Sequence, residues 1–310
     1  MSLDLRVSMN PNGIIFGENA RLNVGGSFVG STASSLNFAD GTQFGTTNPQ
    51  APPLLTISVP TNLQFGSNPG SIINSSRVTN SSGEIVGLSV QPGATLALVG
   101  GEVAVPGGYL TSPGGRVELG SVAANNSVSL TPTNPGWLLG YQGITNFQNV
   151  SLTNAAKISV NGDGKGKIGI QANNIDISSQ SNLTSGINGG LQFSGSQVED
   201  ISLNASGKLT LSDGSTILAR SFGKGDAGNI GITADAISIN GKDTSVSSKI
   251  FPGAEGNSGI INLKAPQVTV FDDATINASL EGTGTGGKIA IDAARVSRRR
   301  SNAPYKNRRC

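Results

Sequence analysis

The chain has 310 residues, with 44 glycines, 5% aromatic and 13% charged residues, no histidine and one cysteine, Cys310. Abundant glycine and sparse charge argue against an ordinary globular enzyme and for many short strands around a thin core. The net charge of +2 is set by Arg295, Arg298, Arg299, Arg300, Lys306, Arg308 and Arg309; the rest of the chain holds 14 basic and 19 acidic residues. A mildly acidic body is a poor partner for the phosphates of nucleic acid.

Taken from its start, the chain opens on MSLDLRVSMNPNG, which has no basic segment followed by an apolar one, so no signal peptide is visible. The stack of strands is expected to begin at Ile14 and Ile15. One element then recurs: an apolar–x–apolar pair, a short polar turn, and another apolar residue six positions after the pair ends. It stands at Phe38 to Phe44, Val90 to Leu96, Leu152 to Ile158, Ile177 to Leu183, Leu211 to Ile217 and Val270 to Ile276, and with one residue inserted at Ile239 to Val246. Between the early copies, NPQAPPLL, NPGSIINSSRVTNSSGE and TPTNPGWLLGYQG read as loops leaving the stack, because proline cannot donate to a strand ladder.

In the second half a further pair precedes each copy: Ile168/Ile170, Ile201/Leu203, Ile230/Ile232, Ile261/Leu263 and finally Ile289/Ile291. The second members are spaced by 33, 29, 31 and 28 residues, a range that marks repeat architectures. Pairs with period two are half-buried strands. Three short strands per repeat describe one coil of a parallel β-solenoid, in which Ile170, Leu203, Ile232, Leu263 and Ile291 form one inward column. An antiparallel sandwich or a disordered chain would have no reason to keep that spacing. No stretch approaches the length of a membrane helix.

The chemistry of common active sites is sparse. Without histidine there is no Ser–His–Asp triad, and a single cysteine excludes cysteine-rich zinc sites and intrachain disulfides. The adjacent carboxylates Glu199-Asp200 and Asp272-Asp273 would point to opposite faces of a strand, so they read as turns or solvated positions. Gly282, Gly284 and Gly287 match a dinucleotide fingerprint, but the KIAID that follows them is a strand and not the required helix. NGDGKG around Asp163 lacks the tandem repeat and closing glutamate of calcium loops. The triplets at Asn74, Asn182 and Asn277 follow from Asn/Ser-rich turns. No catalytic residue, cofactor or metal is expected.

Asn10-Pro11-Asn12-Gly13-Ile14, continuing IFGENARLNVGGSFVGSTA, resembles the second half of the secretion domain of filamentous-haemagglutinin-like two-partner-secretion exoproteins. VQPGATLALVGGEVAV and LTSPGGRVELGSV resemble the region that follows in cyanobacterial-type members. The resemblance runs from residue 10 to about residue 294. It implies an all-β fold, a right-handed parallel β-helix with three short strands per coil, and passage through an outer-membrane β-barrel transporter. It also implies a non-enzymatic, adhesin-like role at the cell surface, toward a host-cell, carbohydrate or other surface ligand. The alternative weighed is a carbohydrate-active β-helix with carboxylates on one outer face. Residues 1–60 are expected to be a remnant of the secretion domain, 61–294 continuing repeats with loop excursions, and 295–310 a basic, disordered tail. The family's other Asn-Pro-Asn motif has no counterpart here, LDLRVSM stands where members carry an apolar strand, and the tail resembles a frameshifted reading. The expectation is a truncated piece of an exoprotein. NPNGI itself reads as a tight turn in which Pro11 fixes φ while Asn12 and Gly13 tolerate positive φ, serving either as a structural corner or as a transporter contact.

Overall fold

The computed structural model describes residues 4–46, 58–134, 136–164, 166–193 and 200–299. Every regular element among them is a strand. Sheet A stacks, in order, Leu5–Met9, Ser27–Ser31, Thr95–Gly100, Arg116–Ser121, Lys167–Ala172, Ile201–Ala205, Ile230–Thr233, Ile260–Lys264 and Lys288–Asp292. Sheet B stacks Ile14–Phe16, Ile72–Asn74, Val103–Pro106, Val150–Thr153, Ile175–Ile177, Lys208–Leu211, Ala236–Asn240, Gln267–Phe271 and Arg295–Arg299. Sheet C stacks Leu88–Ser89, Tyr109–Thr111, Lys157–Ser159, Asn182–Ile187, Thr216–Ser221, Ser245–Ile250 and Thr275–Leu280.

The chain therefore visits A, then B, then C, and each strand pairs in parallel with its counterparts in the neighbouring coils. This is a parallel β-helix, and the nine strands of sheet A number its coils from 1 to 9. One coil cannot bury its own apolar side, so neighbouring coils supply the core. Ile170, Leu203, Ile232, Leu263 and Ile291 lie in direct register. The first four are buried, whereas Ile291 is 39% exposed because it faces the open side of coil 9.

The repeated six-residue offset has a conformational cause. At the B-to-C corner two consecutive residues take the left-handed conformation: Asn154/Ala155 (φ 56° and 59°), Ser179/Gln180 (55° and 62°), Asp213/Gly214 (54° and 73°) and Asp272/Asp273 (52° and 64°). The corner with one inserted residue holds Gly241 at 98° and Asp243 at 63°. Five of the seven copies are thus one corner. The other two are not. Val90 to Leu96 turns from sheet C into sheet A, and Phe38 to Phe44 is an antiparallel hairpin between Ser35–Phe38 and Gln43–Gly45.

The proline-rich excursions also need correction. NPQAPPLL lies outside the described residues, but NPGSIINSSRVTNSSGE contributes Ile72–Asn74 to sheet B and so belongs to the stack. TPTNPGWLLGYQG supplies a strand of an outer antiparallel sheet, whose order is Trp137–Gly140, Ser127–Pro132, Pro60–Gln64, Ser35–Phe38 and Gln43–Gly45. Both insertions that build it leave between sheet A and sheet B, in coils 2 and 4. The outer sheet covers the external face of sheet A over the first four coils and encloses a second core of Val29, Leu63, Phe65, Val99, Val128 and Trp137. The prolines sit at strand ends (Pro60 first in its strand, Pro132 last), where the missing N–H is tolerated.

Part of the basic tail is ordered as well. Arg295–Arg299 pairs in parallel with Gln267–Phe271, bringing Val296 under Val268. Backbone pairing adds this rung despite the charge, and Val296 is left 56% exposed on it. Residues 300–310 lie outside the described ones.

Candidate functional site

NPNGI forms the A-to-B corner of coil 1. Pro11 stands two residues past the end of Leu5–Met9 and pre-sets φ, and the turn closes with Gly13 N–H donating to Asn10 O at 3.1 Å. The Asn10 side chain reinforces it, its Oδ1 accepting from Asn12 N–H at 3.1 Å. Of the two positions expected to tolerate positive φ, only Gly13 adopts it, at 129°. The corner is pinned to coil 2: Gly70 N–H donates to Pro11 O at 2.9 Å and Ile14 N–H to Ser71 O at 3.0 Å. Gly101 N–H then donates to Gly70 O at 2.9 Å, continuing the stack into coil 3. A Cβ on Gly70 would stand 2.4 Å from the carbonyl carbon of Asn12, so this close approach requires glycine.

The five residues divide between core and surface. Ile14 packs against the main core, and Pro11 and Gly13 are half-buried, while Asn10 and Asn12 are exposed. Ile15, the next residue, points away from the core and is 76% exposed. Structurally the motif is a corner that presents two amides and one large apolar side chain to solvent.

The remaining sequence candidates do not converge. Asp272 and Asp273 are the left-handed pair of a corner, and Gly282, Gly284 and Gly287 line a turn into sheet A with no helix after it. Asp163 lies in a turn bridged to Ile187. Among the described residues no group of three or more His, Cys, Asp or Glu could hold a metal ion, and no helix is long and apolar enough to cross a membrane.

Glu199 lies outside the described residues, but Asp200 is a finding. Its side chain is buried, neither carboxyl oxygen has a hydrogen-bond partner, and burial raises its pKa to about 7 against a lowering pull from Lys167. A second acid that sequence reasoning missed, Glu118, lies beneath the outer sheet. Burial raises its pKa, opposed by Arg116, whose Nη1 stands 2.8 Å from Glu118 Oε1. Nearby, the buried Tyr141 hydroxyl is pushed well above its ordinary range by burial and by the Glu118 charge. Glu118 and Asp200 sit in coils 4 and 6, and Glu118 is held by Arg116.

The fold and its first corner thus define a class: a parallel β-helix whose outer antiparallel layer is confined to its N-terminal coils. A family model described as the TPS secretion domain matches residues 7–170. The chain belongs to this family, that of the two-partner-secretion exoproteins, and the filamentous-haemagglutinin-like type agrees with it. The match begins in the first strand of sheet A and ends in coil 5, enclosing the outer sheet and running past residue 60. No curated protein and no solved structure shows a match to the chain.

Proposed function

We propose that this chain is a non-enzymatic segment of an adhesin-like exoprotein. Residues 7–170 address it to an outer-membrane β-barrel transporter, and the regular coils beyond them present an extended surface to a host cell, carbohydrate or other surface ligand. The observation that carries the reading is the secretion-domain match over residues 7–170. Exposure supports this corner as the recognition point: Asn10, Asn12 and Ile15 lie on the outside of coil 1, and Ile15 belongs to neither core.

The test is to express the chain behind a signal peptide, with and without a partner transporter of the family, and to measure protein in the medium. Transporter-dependent release is expected. Asn12→Ala combined with Ile15→Ser should reduce release at least tenfold while leaving the melting temperature unchanged, since neither side chain is buried. Asn10→Ala removes the side-chain hydrogen bond from Asn12 N–H that reinforces the turn and should in addition cost about 1 kcal/mol of stability. Equal release with and without the transporter would overturn the export assignment. Normal release of the double variant would restrict the corner to a structural role.

A further inference from the structure

Parallel stacking puts the same position of successive coils about 4.8 Å apart, so like charges on neighbouring rungs repel and need an answer. Among the described register pairs this happens twice, at Arg220/Lys249 and at Arg116/Lys167. The first pair is answered from within. Arg220 Cζ lies 5.0 Å over the Phe222 ring and Lys249 Nζ 4.6 Å over the Phe251 ring. Lys249 Nζ is also 2.6 Å from Glu281 Oε1.

The second pair is answered only in part. Arg116 has Glu118, but Lys167 makes no ion pair among the described residues. The acid that interacts with it electrostatically, Asp200, is buried without a hydrogen-bond partner and has its pKa raised to about 7. Arg116 and Lys167 line a cleft of about 210 Å³ between sheet A and the turn of the outer hairpin. Its rim is Thr133 and Asn134 on one side and the backbone of Gly93, Gly114 and Gly115 on the other. Among the described residues no apolar side chain lines it. The lining offers two cations, one of them already paired with Glu118, together with a hydroxyl, an amide and glycine carbonyl oxygens, the N–H groups of Gly93, Gly114 and Gly115 being bonded to Pro113, Val160 and Ser112. The space suits one sugar unit and is too small for a drug-sized ligand.

We infer that this cleft binds an acidic saccharide, with the carboxylate of a uronate unit on Arg116 and Lys167 and its hydroxyls on Thr133, Asn134 and the carbonyl oxygens of Gly93 and Gly114. The ligand carboxylate gives Lys167, which makes no ion pair among the described residues, a partner in a charge-assisted contact. The site deepens the surface-ligand reading and rests on it for its setting. Its test uses the purified chain, so it fails independently of export.

Binding is measured by calorimetry at low salt with an oligogalacturonide, with its methyl ester and with a polyglutamate peptide of similar charge. The free acid should bind, and the ester at least tenfold more weakly. Lys167→Gln should weaken binding about tenfold with unchanged circular dichroism, and Asn134→Asp, which places a carboxylate on the rim, should do the same. Lys208→Gln, an equal change of charge on the outside of sheet B, should have no effect. Absence of binding, equal binding of acid and ester, an unaffected Lys167→Gln variant, or equal binding of polyglutamate would each overturn the assignment.

Discussion

Coils 3 and 5 use strands of the same length in the same sheet and bury them differently. Thr95–Gly100, sequence TLALVG, is buried at all six positions, whereas Lys167–Ala172, KIGIQA, alternates between half-buried and buried. The inward residues do the same work in both. The difference lies outside: Ala97 and Val99 meet the outer sheet and belong to the second core, while Gly169 and Gln171, two rungs along the same columns, do not. A run of apolar residues in this sheet therefore signals burial on two faces, and alternation signals one. The first four coils are a β-helix packed as a sandwich, and the later coils are a β-helix alone.

The sharpest way to break that comparison is to place a charge in the same column on both sides of it. Val99 and Asn204 occupy one register column, linked through Gly120 and Gln171. Val99→Asp buries an unpaired carboxylate between two layers and should cost more than about 4 kcal/mol. Asn204→Asp puts the same group on a solvated face and should stay within about 0.5 kcal/mol. Urea unfolding of both variants decides it; equal effects would mean that the outer sheet does not seal the face of coil 3.

Asp200 lies inside the second regime, at the start of coil 6, and its effect is next in size. Its pKa is about 7 in the folded chain against an ordinary 3.8. Below pH 4 the carboxyl is protonated folded or unfolded and costs nothing. Between pH 4 and 7 the unfolded chain ionises while the folded one holds its proton, so stability falls as pH rises, and above pH 7 the loss is constant. The full loss is of order 4 kcal/mol. Asp200→Asn should remove this slope, so the unfolding midpoint of the variant relative to the parent should climb from pH 4 to pH 7 and then level. A difference independent of pH would show that Asp200 is solvated.

Within the regular coils the prediction is smaller and simpler. Ile232 is buried in the main core between Leu203 and Leu263, and Ile232→Ala should cost about 3 kcal/mol through lost contacts and a cavity. A shift in urea midpoint corresponding to less than about 1 kcal/mol would mean that the column collapses around the gap. This column was legible in the sequence because one face only is buried there, so the period of two survives. The outer sheet was not legible. Its strands Ser35–Phe38 and Pro60–Gln64 pair across an insertion, and LNFADGTQF imitates the solenoid corner although it folds as a hairpin. Val99 did carry a signal, the unbroken run ATLALVGG, whose meaning depends on a covering layer that no local pattern specifies. The NPNGI turn was legible through Pro11 and Gly13. Arg116, Lys167 and Asp200 were not, because they are scattered in sequence and only the parallel stacking of coils brings Arg116 beside Lys167 and Lys167 near Asp200.

The smallest effect tests why the repeat has its offset at all. At the B-to-C corner, Gln180 and Gly214 hold equivalent second positions in coils 5 and 6, at φ 62° and 73°. A left-handed conformation costs a residue with a Cβ roughly 1 kcal/mol more than it costs glycine, and glycine's extra freedom in the unfolded chain returns part of that. Gln180 is exposed, so Gln180→Gly should raise stability by about 0.5 kcal/mol. Gly214→Ala should lower it by a similar amount. Nothing would collide with that new Cβ, since the nearest atom to its position is Gln180 Cγ at 3.5 Å. Opposite shifts of similar size in the two melting temperatures would identify backbone conformation as the origin of the corner. Two shifts of the same sign would place its stability in side-chain stacking between coils instead.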